Sequence, residues 1–572
     1  MKRLWRFDIT LTLRAPILTA AQGGRRFGLD SAVQRDWNDC PALAGSLVRG
    51  NLRHAWNEFK ELAPCSAGLD IKRWLGSQAA EENNSPNRGL LSFSHWFAAT
   101  SQGAADVVRH RIRMNGKGAV ARGALQEVEA PFGAGDKVEF VGQGWVELDA
   151  SDASDNGERV AQQLAIDIQK GLVWLPAMGA MKGCGFGKVE GVKVEHAAVP
   201  SPDPCKIEGD ADRFGIALAF DRPICFARPQ IGKTEGNRFE SHLHVPGAAI
   251  IAALAARWPQ GKKHQLERLA ASHAQPQAAN GCRPLAIPLS LAVADDGSVH
   301  DLAMSGAGGL IGERAPAFRP DWKWKVESRI ATSLGWPELD RLLEVHTAVV
   351  PVRNIADEGQ LFSIESIDTR TRNWLADIDL GLGDVAEKDE GRTTLGRLLA
   401  EGLWPLGKTD ARASVDIVPA HGFAVPVGGA DAIGEKVVLV LATATELLAP
   451  IPKAKDITSV EHWRAAYDSA FRKISDGALV VDHLFTREQL AGGGYLQRRF
   501  GEARPYRPRL LTEAGSVFVL TVRDERKAQA VIQDWLRHGL PSPAGDNWRT
   551  CPYRRQNGYG EVVIDPCPSF GE

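Results

Sequence analysis

The sequence predicts an α+β fold of three successive ferredoxin-like modules with a β-hairpin insertion, on three observations. At 572 residues the chain exceeds the roughly 250–300 residues at which a single hydrophobic core stops growing, so it must divide. Its first 195 residues run strand, helix, strand, strand, helix, strand, which is the ferredoxin-like order. The same grammar restarts near residue 213 and again near 436, an internal repeat.

The elements follow in order. WRFDITLTL (5–13) alternates apolar and polar residues, as a strand with one buried face does. A Gly- and Arg-rich loop runs from Gln22 to Asp30. Then LVRGNLRHAWNEF (47–59) places Leu47, Leu52, Ala55, Trp56 and Phe59 on one helical face, with Ser46 as its N-cap. LLSFSHWF (90–97) reads as a strand, 106–140 as a basic hairpin-like insertion, and ERVAQQLAIDIQK (158–170) as a helix. Residues 175–194 form a Gly-rich loop running into a strand. Pro, Asp and Ala crowd 196–212, the composition of a linker. Beyond it, FGIALAF (214–220) and IIAALAARW (250–258) repeat strand and helix, and Val245-Pro246-Gly247-Ala248 stands where Ala44-Gly45-Ser46 stood. KVVLVLA (436–442), VEHWRAAYDSAFRKI (460–474), GSVFVLTV (515–522) and RKAQAVIQDWLRHGL (526–540) make a third cycle, closed by the Gly-rich Gln556–Gly560 and a strand to Ile564. The expected domains are 1–195, 213–430 and 431–572; residues 259–345 carry no clear pattern.

With 44% hydrophobic and 24% charged residues, the composition excludes a disordered or fibrous chain. Lys+Arg (68) and Asp+Glu (70) balance to a formal charge of -2, so a nucleic-acid role requires the basic residues to gather on one groove. The eight cysteines form no C-x-x-C pair and no zinc spacing, which leaves them as thiols in a reducing compartment. No apolar run reaches the ~20 residues of a membrane span, and the N-terminus reads as a strand rather than a signal peptide. The expectation is a cytoplasmic protein with no membrane partner.

Two motifs carry chemistry. In Lys182-Gly183-Cys184-Gly185-Phe186-Gly187-Lys188, glycines allow close approach of backbone N–H groups to a phosphate, the lysines add charge, and Phe186 either stacks on a base or packs inward. In Ala44–Arg53, a small-residue loop opens a basic helix whose unpaired N–H groups and dipole favour an anion, with Arg49 and Arg53 on one face. Each alone also fits a purely structural turn or a solvated helix face.

Together these stretches resemble a known family. GGRRFGLDSAVQRD (23–36), PALAGSLVRGNLR (41–53) and MKGCGFGKVEG (181–191), in that order, resemble the backbone subunits of type III (Csm/Cmr) CRISPR complexes, of the RRM-like RAMP superfamily. HVPGAAIIAALAAR (244–257), HTAVVPVRNIADEGQLFSIESI (346–367), YRPRLLTEAGSVFVL (506–520) and NGYGEVVI (557–564) are similar to the type III-D subunit that caps the guide RNA's 5′ tag. The resemblance implies a fused subunit that binds crRNA and is active in antiviral defence. Its implied partners are target RNA, a large polymerase-like subunit, a small subunit and further backbone subunits.

The resemblance also implies site residues. Asp30 would be the acid of a target-RNA endoribonuclease, with Mg or another divalent cation assisting and no organic cofactor; its reference pKa of about 3.9 makes it a poor base alone. Asp36 is the alternative acid, and capping a loop or pairing with Arg25, Arg26 or Arg35 the structural alternative. The hairpin would be a thumb that displaces bases, around Arg109, Arg111, Arg113, Lys117 and Arg122. Guide contacts would come from Arg25, Arg26, Ser46, Arg49, Gly50, Arg53, Arg111, Arg113, Lys117, Lys182, Gly183, Gly185, Phe186, Gly187 and Lys188. In the second part they would come from Lys233, Arg238, His244, Gly247, Arg353 and Tyr559. No acid matching Asp30 occurs in 227–239, so no cleavage is expected there. No His–Tyr–Lys grouping stands out, so guide processing is not expected. The other readings are a subunit that only holds the guide and a stand-alone RNA-binding protein.

Overall fold

A computed structural model describes residues 2–21, 29–36, 39–62, 69–77, 87–99, 108–149, 154–207, 212–228, 238–304, 316–350, 355–381, 385–449, 459–492, 508–542 and 551–570. The fold is α+β. One compact unit comprises Met1–Pro202 with Gly232–Glu240 and Arg341–Ser366; the other comprises Asp203–Ile231, Ser241–Asp340 and Ile367–Glu572.

In the first unit an antiparallel sheet runs Lys188–Ala198, Lys2–Arg14, Lys137–Asp149, Trp96–Ala98, Ala42–Leu43. Period-two alternation along the opening strand sends Trp5, Phe7, Ile9, Leu11 and Leu13 to one face, all buried. There they meet Leu52 and Trp56 of the helix Gly45–Leu62 and Leu164, Ile168 and Leu172 of the helix Ser154–Trp174. Trp56 Nε1 donates to the Asp167 carbonyl at 2.9 Å, so the indole is buried with its polar atom satisfied.

The first helix starts one residue ahead of the expected cap. Val48 N bonds the Ala44 carbonyl, and Ser46 lies inside the first turn. Gly45 makes this possible, since a Cβ there would sit 2.6 Å from the carbonyl oxygens of both Phe93 and Ser94. The basic insertion is a two-stranded ribbon, Val108–Met114 with Val120–Glu129, whose tip is fully exposed. A three-stranded sheet of Arg238–Glu240, Ile355–Ile367 and Arg341–Val350 belongs to the same unit, with Gln34 Nε2 donating to Glu344 Oε1 at 3.3 Å.

The second unit holds two main sheets. One runs Ala270–Ala271, Trp374–Asp379, Arg213–Phe220, Ala411–Val418, Leu403–Leu406, packed by the helices Gly247–Arg257 and Val385–Ala400. The other runs Leu479–Phe485, Val517–Val522, Lys436–Leu441, Val562–Ile564, with the helices Val460–Ile474 and Glu525–His538 on one face. In all three large sheets the opening strand lies between the closing strand and the third, and helices follow the first and third strands.

Residues 259–345, unpatterned in sequence, contribute about half of a fourth apolar cluster. Leu285, Ile287, Leu291, Val293, Ile330 and Leu334 pack on Val438, Val440, Val519 and Val563, the face of the last sheet turned away from its helices. That sheet is therefore covered on both sides. Of the expected linker, Cys205 N bonds the Gly396 carbonyl and Ile207 packs on the neighbouring core, while 208–211 lie outside the described residues. Among the described residues no helix is long and apolar enough to cross a membrane.

Candidate nucleic-acid interface

In the first unit, three predicted segments converge: the Asp30 loop, the hairpin and the late Gly-rich loop. The Asp30 loop is tied to the hairpin base. Asp30 N donates to the Glu127 carbonyl at 2.9 Å, Asp30 Oδ2 accepts from Glu127 N at 2.6 Å, and Ser31 bridges Val128. The Asp30 side chain stays exposed. Beneath it lies an ion pair that the sequence did not signal. Glu129, 2% exposed, takes Arg35 Nη2 at 2.6 Å and Val33 N at 2.8 Å. Arg35 is thus committed to Glu129 and to the Asp39 carbonyl. Asp36 accepts from Cys40 N at 2.7 Å and shapes its own turn. Arg25 and Arg26 lie outside the described residues.

The Gly-rich loop meets both other segments. Arg111 of the hairpin reaches Met181 Sδ at 2.9 Å and Cys184 Sγ at 3.1 Å. Lys182 Nζ donates to Asn51 Oδ1 at 2.7 Å, joining the loop to the start of the first helix, and desolvation lowers the lysine's pKa. Lys182, Gly183, Gly185 and Lys188 are exposed, as are Ser46, Gly50, Arg113 and Lys117. Arg49 is half-buried on the same helix start. Arg238, in the small three-stranded sheet of this unit, is paired with Glu365, which Arg341 also holds.

Three residues expected at the surface serve the fold. Phe186 turns inward, packed with Leu18, Val33 and Val128. Gly187 N bonds the Pro16 carbonyl, and its φ of 66° with a Cβ position 2.0 Å from the Met178 oxygen leaves room for glycine alone. Arg53 donates to the Leu75 and Gly76 carbonyls and closes a short helix end, so it does not share a free basic face with Arg49.

In the second unit the corresponding turn is inward. Gly247 N donates to His273 Nδ1 at 3.1 Å, and a Cβ on Gly247 would sit 2.1 Å from the Ala271 oxygen and 2.7 Å from the Asn557 oxygen. The amide expected to meet a phosphate meets a histidine instead. His242, His244 and His273 form a column with ring centroids 4.8 and 4.5 Å apart, and the edges of Tyr559 and then Tyr553 close it. Burial, then neighbouring charge, depresses these histidines: His242 to about 4, His273 to about 3, and His244 well below its usual value. Burial also raises the Tyr559 phenol. The column is neutral at pH 7. Lys233 and Arg353 lie outside the described residues.

Below the column sits a buried ionic network. Arg283, 1% exposed, pairs with Glu561 at 2.7 Å and Asp377 at 3.6 Å, and Asp377 takes Arg213 at 2.6 Å and His421 at 2.9 Å. Burial pushes the Asp377 carboxyl up, but the His421 hydrogen bond and the two arginines outweigh it and hold it well below the usual carboxylate range. These residues come from separated segments, and no spacing in the sequence could have grouped them. Among the described residues no cluster of three or more His, Cys, Asp or Glu is arranged to hold a metal ion.

No family model and no curated protein matches the chain. Solved structures do. A chain of a type III-B Cmr-beta bound to cognate target RNA is similar at 15% identity and a TM-score of 0.23, over 34% of this chain and 61% of that one. A chain of the same kind of particle, bound to cognate target RNA and AMPPnP, is similar at 10% identity and a TM-score of 0.29, over 53% of this chain and 86% of that one.

Proposed function

We propose that the chain is a guide-RNA-binding subunit of a type III CRISPR effector complex, a backbone-type unit fused to a III-D-like unit that caps the guide's 5′ tag. Its partners are the crRNA, the target RNA and the other effector subunits. The carrying observation is that in each unit a late Gly-rich loop lies against a helix of the kind expected to hold the guide: Lys182 meets Asn51 in the second turn of Gly45–Leu62, and Asn557, from the loop that closes the last sheet, abuts Gly247 at the start of Gly247–Arg257. The strand order shared by the three sheets supports reading them as ferredoxin-like RAMP modules. The exposed hairpin cations and the exposed glycines 183 and 185 offer charge and close backbone approach to a ribose-phosphate strand. In the second unit the turn faces inward, so RNA contacts there fall to side chains around it rather than to the Gly247 amide.

Asp30 is the candidate for target cleavage. Attack by a 2′-OH needs the phosphate held in line, and the loop fixed to the hairpin base can supply that positioning. The holding-only reading draws support from the Asp30–Glu127 hydrogen bond, which gives Asp30 a structural task.

Two measurements decide. Purified with its genomic neighbours, the chain carries a short repeat-derived RNA; no such RNA refutes the proposal. In the assembled particle Asp30→Asn keeps an acceptor for Glu127 N and removes the charge. Lost cleavage opposite this subunit supports catalysis, and unchanged cleavage leaves a holding role.

A further inference from the structure

The hairpin and the Asp30 loop lie side by side as three adjacent backbone runs. His110 stands opposite Glu127 in the ribbon. On the far side of Glu127, Ser31 pairs in parallel with Val128 and Asp30 N donates to the Glu127 carbonyl. Cross-strand partners in register project from one face, so His110, Glu127 and Asp30 stand abreast on it. His110 Nδ1 lies 3.4 Å from Glu127 Oε1, the two side chains are 61% and 35% exposed, and Asp30 is exposed beside them. Of the neighbouring charges, Glu129 on the same face is held by Arg35, while Arg109 and Arg111 alternate to the opposite face, where Arg111 meets the Gly-rich loop. A carboxylate against Nδ1 favours the proton on that nitrogen and leaves the Nε2 lone pair to accept another, the arrangement that makes histidine a base.

We infer that His110 is the general base of target cleavage and that Glu127 is its positioning residue. Nε2 takes the proton of the 2′-OH as the 2′-oxygen bonds to phosphorus and the bond to the 5′-oxygen breaks. The departing 5′-oxygen takes a proton from water, and the hydroxide so formed recovers the proton held by the imidazole. The products are a 2′,3′-cyclic phosphate and a 5′-hydroxyl. The inference rests on the cleavage reading of Asp30 and supplies the base that a lone carboxylate makes poorly.

The test is target cleavage by the assembled particle across a pH series, with magnesium present throughout and retained guide RNA measured on each preparation. His110→Gln, at an exposed side chain, should keep the guide and slow cleavage opposite this subunit by about 100-fold, the usual contribution of a positioned base. It should also abolish the fall in rate toward low pH that protonation of the imidazole causes. Glu127→Gln keeps the backbone amide that holds Asp30 and should slow cleavage by a smaller factor. His196→Gln, which removes the ring paired with Glu158 at 3.1 Å elsewhere in the unit, should change nothing. A rate or pH profile unaltered by His110→Gln overturns the inference, as do products ending in a 3′-hydroxyl. If Asp30→Asn is silent while His110→Gln cuts normally, the inference alone fails and the cleavage reading stands. If the unaltered particle cuts nothing opposite this subunit, both fail.

Discussion

Glu129→Ala gives the sharpest test of how the Asp30 loop is held. Arg35 and Glu129 are 8% and 2% exposed, and the carboxylate satisfies both the guanidinium at 2.6 Å and Val33 N at 2.8 Å. Removing it leaves the buried guanidinium only its contact with Asp39 and leaves the Val33 amide without its acceptor. Breaking one partner of a buried pair costs about 3–5 kcal/mol. In a unit of this size each kcal/mol lowers the melting temperature by about 2–4 °C, so the first-unit transition should fall by about 6–20 °C. Arg35→Met with Glu129→Leu removes both charges and should recover most of the loss, because an apolar pair carries no desolvation penalty. Calorimetric scans of the full chain, with hydrogen exchange at 29–36 and 127–129, measure both effects. A shift for Glu129→Ala no larger than that of an exposed-site control such as Glu195→Ala would refute the reasoning, as would a double variant worse than the single.

Other outcomes follow from the same geometry. The histidine column makes stability depend on pH in one direction: the unfolded chain protonates near 6.5 while the folded column resists to about 4 or below, so stability present at pH 7 is lost as pH falls through that window. Each histidine contributes a slope of about 1.4 kcal/mol per pH unit, and His244→Phe should flatten the profile in melts between pH 7 and 4.5. Gly247→Ala forces a Cβ against the Ala271 and Asn557 oxygens and should destabilise the second unit by more than about 2 kcal/mol in denaturant titrations. Arg113→Ala with Lys117→Ala, both exposed, should leave stability unchanged and lower the salt dependence of RNA binding, by about 0.7 in log–log slope for each phosphate no longer neutralised.

Elements were legible where local pattern decides structure. The helix Val460–Ile474 matches its expected span because its apolar spacing and its breakers agree. Strand Lys2–Arg14 alternates from Trp5 to Arg14, which covers the expected span 5–13. The first helix starts two residues before the expected Leu47, because Gly45's closeness to Phe93 and Ser94 is a tertiary fact that local pattern does not carry. The stretch 259–345 was opaque for the same reason: Leu285, Ile287 and Ile330 bury themselves on a sheet more than a hundred residues away in sequence, which leaves no local period. At the site, the hairpin and both glycine loops were visible as composition. The direction of Phe186, the commitment of Arg53 and the role of His273 were not, since each depends on a neighbour remote in sequence.

The double covering of the last sheet has a practical corollary for dissecting the protein. Cutting at residue 430, where the sequence suggests a seam, would strip Val438, Val440, Val519 and Val563 of their lid and leave a bare valine-rich plane. Such a fragment should stick to itself and precipitate. The smallest soluble piece of this half has to begin upstream of Leu285 and run to the closing strand.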